Sequence, residues 1–554
     1  MKKSILWLIS LTCLFTCHTA AQTMVEGGVV SGIWTKAGSP YIINGTVSVP
    51  AESVLSIEPG VEITFSGHFK FEIFGKLNAR GLASDSIVFT ASDKKIGWHG
   101  LRFMNTISSG QDTSKLTYCR IEYGRVMGDC PDNRGGGIYA ELSNLIVSHC
   151  LIRRNQAVSG LSDWGGGAIY LEKSNAIIRD NLITQNYSGN DGGAIYCSFC
   201  RPIIQRNTIS HNEALSRGGG IASFTFASPE ILNNSISNNI SHDRGGGICV
   251  SGGNPLIQHN KIENNEAGLG GGIDCYLSSA LIINNLIATN TAGAGGAMFL
   301  RGSSPVITSN TICKNEASLY GGGIASSFEV VGNPVYSNPT LTANIIYSNV
   351  SDDGSQLWSA NGCVPVLVHC DVQDMESGGI TGEYNPVSGN ISQPPVFTDV
   401  GLNEFELSNL SPCVDAGPVN LTGTSCANCD LNGCIRVWDG DGDQIAVIDM
   451  GAWEYGSQAL GMEEAQPVKK TFFSCFVYPN PTKDNLIIKV KVPYPGKAEI
   501  RITQPDGQKI YQLPTYLSDD ENDVTIDLSR LQAGVYIYEV YFMGYRNSGY
   551  IVHL

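Results

Sequence analysis

Apolar, mostly β-branched positions fall into three columns along the middle of this chain. One column is Val147, Ile178, Ile204, Ile231, Ile257, Ile282, Ile307 and Leu341. A second is Ile152, Ile183, Ile209, Ile236, Ile262, Ile287, Ile312 and Ile346. The third is Ile138, Ile169, Ile195, Ile221, Ile248, Ile273, Met298 and Ile324, recurring every 25 to 31 residues. None of the segments has the apolar spacing or the length of a helix. Short β-branched runs bounded by Gly, Asn, Pro and Ser read as strands. A fixed period of this length means stacked repeats, each of which buries its apolar face only against its neighbours.

The polar positions keep the same step. Two or three small residues precede each third-column residue, as in Gly135-Gly136-Gly137-Ile138 and Gly192-Gly193-Ala194-Ile195. An Asn-x-Ile-x-x-Asn signal runs from Asn181/Ile183/Asn186 to Asn310/Ile312/Asn315. Three strands per coil predict a three-sided solenoid of parallel strands, with coils about 4.8 Å apart. Stacked Ile fills the interior, and stacked Asn at a corner bonds its copies above and below. The Gly runs let the backbone turn where a side chain would clash. Side chains alternate along a strand. Tyr139, Tyr170, Tyr196, Ala222, Cys249, Asp274, Phe299 and Ala325 therefore point outward, and Ala140, Leu171, Cys197, Ser223, Val250, Cys275, Leu300 and Ser326 inward.

Pro202, Pro229, Pro255 and Pro305 open a Pro-x-Ile-x-x-Asn-x-Ile-x-x-Asn pattern closed by Gly-Gly-Ile. Over residues 45 to 350 this resembles the right-handed parallel β-helix repeat family. The resemblance implies an all-β chain built on a right-handed parallel β-helix. That family holds polysaccharide lyases, glycoside hydrolases and many non-enzymatic surface proteins, so function does not follow from fold.

The flanks divide the chain further. Lys2 and Lys3, an apolar stretch from Ile5 to Cys17 and Thr19-Ala20-Ala21 read as a signal peptide over 1–21. Residues 22–110 read as an N-terminal cap and first coils, 111–350 as the helix repeats and 351–460 as a C-terminal cap. A linker over 461–471 leads to a small C-terminal β-sandwich over 472–554. There Tyr478-Pro479-Asn480-Pro481, Asp527-Leu528-Ser529 and Gly534-Val535-Tyr536 resemble the type A C-terminal sorting domain of the type IX secretion system. That resemblance implies a partner, the secretion machinery, and a secreted destination at the outer-membrane cell surface or beyond. No other segment reaches a membrane-spanning length.

The 554-residue chain carries a formal charge of -16, which argues against nucleic acid as a partner. Of its 17 Cys, Cys13 and Cys17 fall in the signal segment. Export permits disulfides. Cys197 and Cys275 share one inward column three coils apart, roughly 14 Å, too far to bridge. Cys249, Cys275 and Cys313 read as buried small hydrophobes. Cys197 and Cys200 suit a disulfide, a metal pair or two packed thiols. Cys413, Cys426, Cys429 and Cys434 are expected to tie a loop by disulfides, with zinc as the other reading.

Three clusters carry candidate chemistry. Tyr139, Tyr170 and Tyr196 stand on consecutive coils, with Glu141 and Glu172 beside them. They suit sugar stacking and hydrogen bonding, or a retaining glycosidase pair about 5 Å apart, or simply a solvated strand face. Arg217, Arg244, His211, His242 and Asp243, with Asp191 one coil earlier, offer the cation and base of a lyase, or a salt-bridge ladder. Asp439, Asp441 and Asp443 alternate as in calcium loops, which makes a structural calcium the one suggested cofactor. Gln444 and Met450 depart from the EF-hand pattern. The expected function is a non-enzymatic binding, adhesive or structural role toward extracellular polysaccharide. The alternative is a polysaccharide lyase or glycoside hydrolase.

Overall fold

The computed structural model describes residues 22–106, 113–158, 165–399, 401, 404–418 and 429–458. Beyond these it describes 474–478, 482–483, 485–492, 496–504, 509–518, 520–532, 534–542 and 545–553. The expected signal peptide, the linker at 461–471 and Cys426 lie outside the described residues. The chain forms two compact units, the first holding the described residues up to Ser457 and the second those beyond.

Three 14-stranded parallel sheets make the walls of the first unit. One turn of the chain contributes a strand to each, for example Ile183 paired with Ile209 in the first sheet, Ile195 with Ile221 in the second and Ile178 with Ile204 in the third. The three Ile columns meet in one continuous core, with nearly every member fully buried. Pairing begins at Thr23–Val25 and runs to Asn385–Ser388. The described residues from 22 to 106 thus already pair as coils, and the coils pass the expected boundary at 350. Beyond it the Asn-Ile-Asn punctuation is lost, while Leu357, Leu367 and Val372 still fill the interior columns.

Asn side chains build two hydrogen-bond ladders. In one, Oδ1 of Asn207 accepts from both the backbone N–H and the Nδ2 of Asn181, at 3.0 and 2.9 Å. The same pattern repeats coil by coil down to Asn344. Cys150 and Cys119 occupy this column at its N-terminal end, and the Cys150 sulfur accepts the Cys119 N–H at 3.3 Å. The left-handed backbone, however, belongs to the residue before each Asn, such as Asp180, Arg206 and Asn233. The ladder Asn itself spends its side chain on its neighbours.

A fourth, eight-stranded parallel sheet was not anticipated. It runs from Arg125–Met127 to Glu316–Tyr320 and stacks Ala157, Ser188, Ala214, Ser241, Ala267, Ala292 and Ala317 as a buried small-residue column. Its buried column is Ala and Ser, so it lacks the β-branched signal that marks the other three.

The described residues from Phe397 to Val414 and from Leu431 to Tyr455 pack along the side of the solenoid. Phe405, Leu407, Met450 and Trp453 cover Leu286, Ala288, Cys313 and Ile345 on the outside of the first sheet. Cys413 turns its buried thiol onto Asp371, Sγ to Oδ2 at 3.4 Å. The second unit pairs a three-stranded with a four-stranded antiparallel sheet around Ile488, Ile500, Ile502, Ile526 and Val540, as a small β-sandwich requires.

Candidate functional site

The second sheet carries the Gly-Gly-Ile strands. Its outer face presents one in-register column: Arg102, Tyr139, Tyr170, Tyr196, Ala222, Cys249, Asp274, Phe299, Ala325 and Trp358. The Gly run before each strand is what brings the backbone in so closely. Gly192 sits at φ 66°, and a Cβ on Gly193 would lie 2.3 Å from the Gly219 carbonyl oxygen.

The tyrosine ladder forms, but it is not a solvated face. The Tyr139, Tyr170 and Tyr196 rings stack at 5.4 and 4.9 Å and are at most 1% exposed. Tyr139 donates to Glu141 at 2.9 Å and Tyr170 to Glu172 at 3.0 Å. Arg134 pairs with Glu172 at 3.2 Å, and Arg102 lies 4.0 Å over the Tyr139 ring. Arg102 also donates to the carbonyls of Pro131 and Arg134, which fixes the 129–134 loop beside the ladder. Burial pushes all three phenols up. The coil from Cys119 to Cys150, which holds Tyr139 and the 129–134 loop, is 31 residues long against 25 for later coils. That surplus includes the 129–134 loop, and the three rings are packed against one another rather than exposed.

Where the column drops to Ala222, Cys249 and Asp274 a cleft of 280 Å³ opens. Arg217, Asp243, Arg244, Tyr276 and Arg301 are among the residues that wall it. Asp274 forms its floor at 1% exposure. The Cys249 thiol points to Asp274 Oδ2 at 3.5 Å, while Oδ1 has no hydrogen-bond partner among the described residues. Burial pushes this carboxyl up to about 7, against the pull of Arg244. Each arginine also faces a carboxylate: Arg217 with Asp191 at 2.9 Å, Arg244 with Asp243 at 3.5 Å, and Arg301 with Glu329 at 3.0 Å. Arg301 lies 4.5 Å over the Tyr276 ring.

Of the expected lyase set, Arg217, Arg244 and Asp243 come together in this cleft. His211 and His242 are not among its lining residues, and His242 pairs with Glu213 at 3.0 Å on the exposed surface. Asp274, Tyr276 and Arg301 were missed as site residues. Their signal was present, since Asp274 is the one carboxylate in the outward column. In the Asp439 loop, the atoms within 4.8 Å of one another come from Asp415, Asp439 and Asp441. Asp443 instead accepts the Ile445 N–H at 2.7 Å.

The family described as right handed beta helix region matches residues 86–241 and 232–371. The chain belongs to this family. Residues 476–548 match the secretion system C-terminal sorting domain. The β-helix protein is therefore secreted, bound for the cell surface or the extracellular space, and its tail engages the secretion machinery. Comparison with curated proteins and with solved structures gives no match. Among the described residues no helix is long and apolar enough to cross a membrane.

Proposed function

We propose that this β-helix protein binds extracellular polysaccharide in a non-enzymatic, adhesive or structural role, through the cleft at Asp274. The observation that supports this reading is a buried carboxyl with an open oxygen, set among three guanidinium groups and the Tyr276 ring. Guanidinium–carboxylate pairs at a cleft wall present donors and acceptors side by side, which suits sugar hydroxyls. An adjacent aromatic ring supplies the apolar contact. Titrating the full-length protein with a panel of polysaccharides tests the reading. Binding that disappears in Asp274→Ala and Arg244→Ala is the expected result, and binding unchanged in both refutes it.

Cleavage, as a lyase or glycoside hydrolase, is the second reading. It is favoured by Asp274 alone, whose carboxyl can hold or release a proton near neutrality. The arginines speak against it, because each already faces a carboxylate and none is left over to neutralise a uronate. Incubation with uronic-acid polysaccharides separates the two readings, since a lyase releases unsaturated, absorbing product. A structural calcium held by Asp415, Asp439 and Asp441 completes the proposal. Melting with calcium and with chelator tests it.

A further inference from the structure

The turn that follows each strand of the second sheet has a regular form on most coils. One residue in the left-handed region leads into the third sheet, as at Leu142, Lys173, Phe199 and Leu277. After Ile221–Phe224 the turn is one residue longer, and both Thr225 (φ 49°) and Phe226 (φ 61°) are left-handed. For a β-branched and a bulky residue this backbone is strained. The added residue is also 75% exposed, and Phe199 on the preceding coil is 45% exposed. The two rings stand 6.3 Å apart at 44°, with the Lys173 ammonium 6.0 Å from the Phe199 ring. An insertion that strains the backbone to place an aromatic ring in water gains nothing for the fold.

Below these rings lies a shallow cleft of 320 Å³, lined by Asn175, Phe199, Cys200, Arg201 and Phe226. On the next coil the turn is Gly252-Gly253, and a Cβ on Gly252 would meet only the Phe226 nitrogen, at 3.9 Å. The rings are therefore open on that side. The cleft is of small-ligand size. Its five lining residues fall far short of the roughly 20–30 a side that a stable protein interface engages. What fits is a linear polymer of ring-shaped units whose apolar faces lie on rings from adjacent coils while its polar edges reach Arg201 and Lys173.

We propose that Phe199 and Phe226 form an aromatic seat for the pyranose rings of a polysaccharide chain, a second contact beside the Asp274 cleft. The proposal rests on the polysaccharide reading above and deepens it. The seat borders the same sheet, because Phe226 lies two residues beyond the Ile221–Phe224 strand whose neighbour supplies Cys249 and Ser251 to the cleft.

The test uses the full-length protein in affinity electrophoresis through gels holding alginate or xylan, at low and at high salt. Salt weakens the charged contacts of the Asp274 cleft and leaves ring stacking in place. Phe226→Ala is expected to weaken retention by about tenfold, the size of one lost hot-spot contact. The loss should persist at high salt, and the melting midpoint should not fall. Phe226→Trp should restore retention. Deleting Phe226 returns the turn to the common length and should abolish the seat in a chain free of the strain. Retention of the wild type that is unchanged in both Phe226→Ala and the deletion overturns the seat and leaves the Asp274 cleft standing. No retention of the wild type on either polysaccharide overturns both.

Discussion

Arg217 grips the buried Asp191 carboxylate with two arms, Nε to Oδ1 at 3.0 Å and Nη2 to Oδ2 at 2.9 Å. The two residues hold the same place on adjacent coils, one step before the Gly run. Arg244 holds that place on the next coil, but its partner Asp243 is exposed. Removing one member of a buried pair strands the other charge, whereas an exposed pair contributes little. Arg217→Ala is therefore expected to cost about 3–5 kcal/mol of stability, and Arg244→Ala less than about 1 kcal/mol. Urea unfolding of both variants checks this, and equal costs would sink it. For any binding assay, Arg244 is the cleaner position to change.

Asp274 predicts a pH dependence. Burial raises its folded-state carboxyl from 3.8 to about 7. The unfolded chain therefore gives up this proton first as pH rises. Stability linked to Asp274 is complete below about pH 4 and is lost as pH climbs through about 7. Asp274→Asn removes the penalty, so the variant should gain on the wild type between pH 5 and 8, by up to about 4 kcal/mol at 1.36 kcal/mol per pKa unit. Asp371 and Asp449, both pushed up to about 6, titrate in both proteins and cancel in the difference. Denaturant curves that stay parallel from pH 5 to pH 8 would rule the idea out.

Much of this was legible in the sequence. The three Ile columns give the three walls, and the alternation about Ile195 correctly separates Tyr196 from Cys197. Burial of the tyrosines was not legible, because a column shows the direction of a side chain and not what covers it. Arg102 lies over Tyr139 and Arg134 over Tyr170, and Arg134 comes from a loop without periodicity. The cleft was half legible: Arg217 and Arg244 were found from their shared place, while Asp274 was passed over as one outward residue among eight. Phe226 was hidden by being an insertion, since aligned columns discard the residue that breaks them.

The asparagine ladder should be cooperative. Asn239 is fully buried and accepts from the backbone N–H and Nδ2 of Asn212 at 3.1 and 2.9 Å. Its own Nδ2 donates to the Ile209 carbonyl at 2.9 Å and to Asn265 Oδ1 at 3.0 Å. Asn239→Ala leaves the Asn212 backbone N–H buried without its acceptor and takes the Nδ2 donor from the Ile209 carbonyl, while the Asn212 Nδ2 keeps the Ile183 and Ser210 carbonyls. The expected loss is about 1–3 kcal/mol in urea unfolding. Local hydrogen exchange should rise on the coils of Asn212 and Asn265 before it rises elsewhere, because each coil is held only by its neighbours. Uniform acceleration along the solenoid would contradict a ladder with nearest-neighbour coupling.

The side-packed segment depends on Arg436. Its guanidinium is buried and donates to the carbonyls of Trp453 at 2.8 Å, Asp449 at 3.0 Å and Gly451 at 2.5 Å. Glu454 lies 3.5 Å away, and burial pushes its carboxyl up despite that neighbour. The arginine thus serves mainly as a knot for three backbone carbonyls and only secondarily as half of an ion pair. Methionine matches much of its length but cannot donate. Arg436→Met should leave those carbonyls unsatisfied and cost about 3 kcal/mol or more. The 429–457 segment should loosen first, because its hold on the first sheet runs through Gly451 to the Ala343 carbonyl and Ala452 to Thr311. Limited proteolysis is the direct measure, with cuts expected near Asp439 to Ile445 while the coils up to Val372 stay intact. Glu454→Gln separates the two roles. If the ion pair were the main support it would be as damaging as Arg436→Met, whereas a carbonyl knot predicts a much smaller loss.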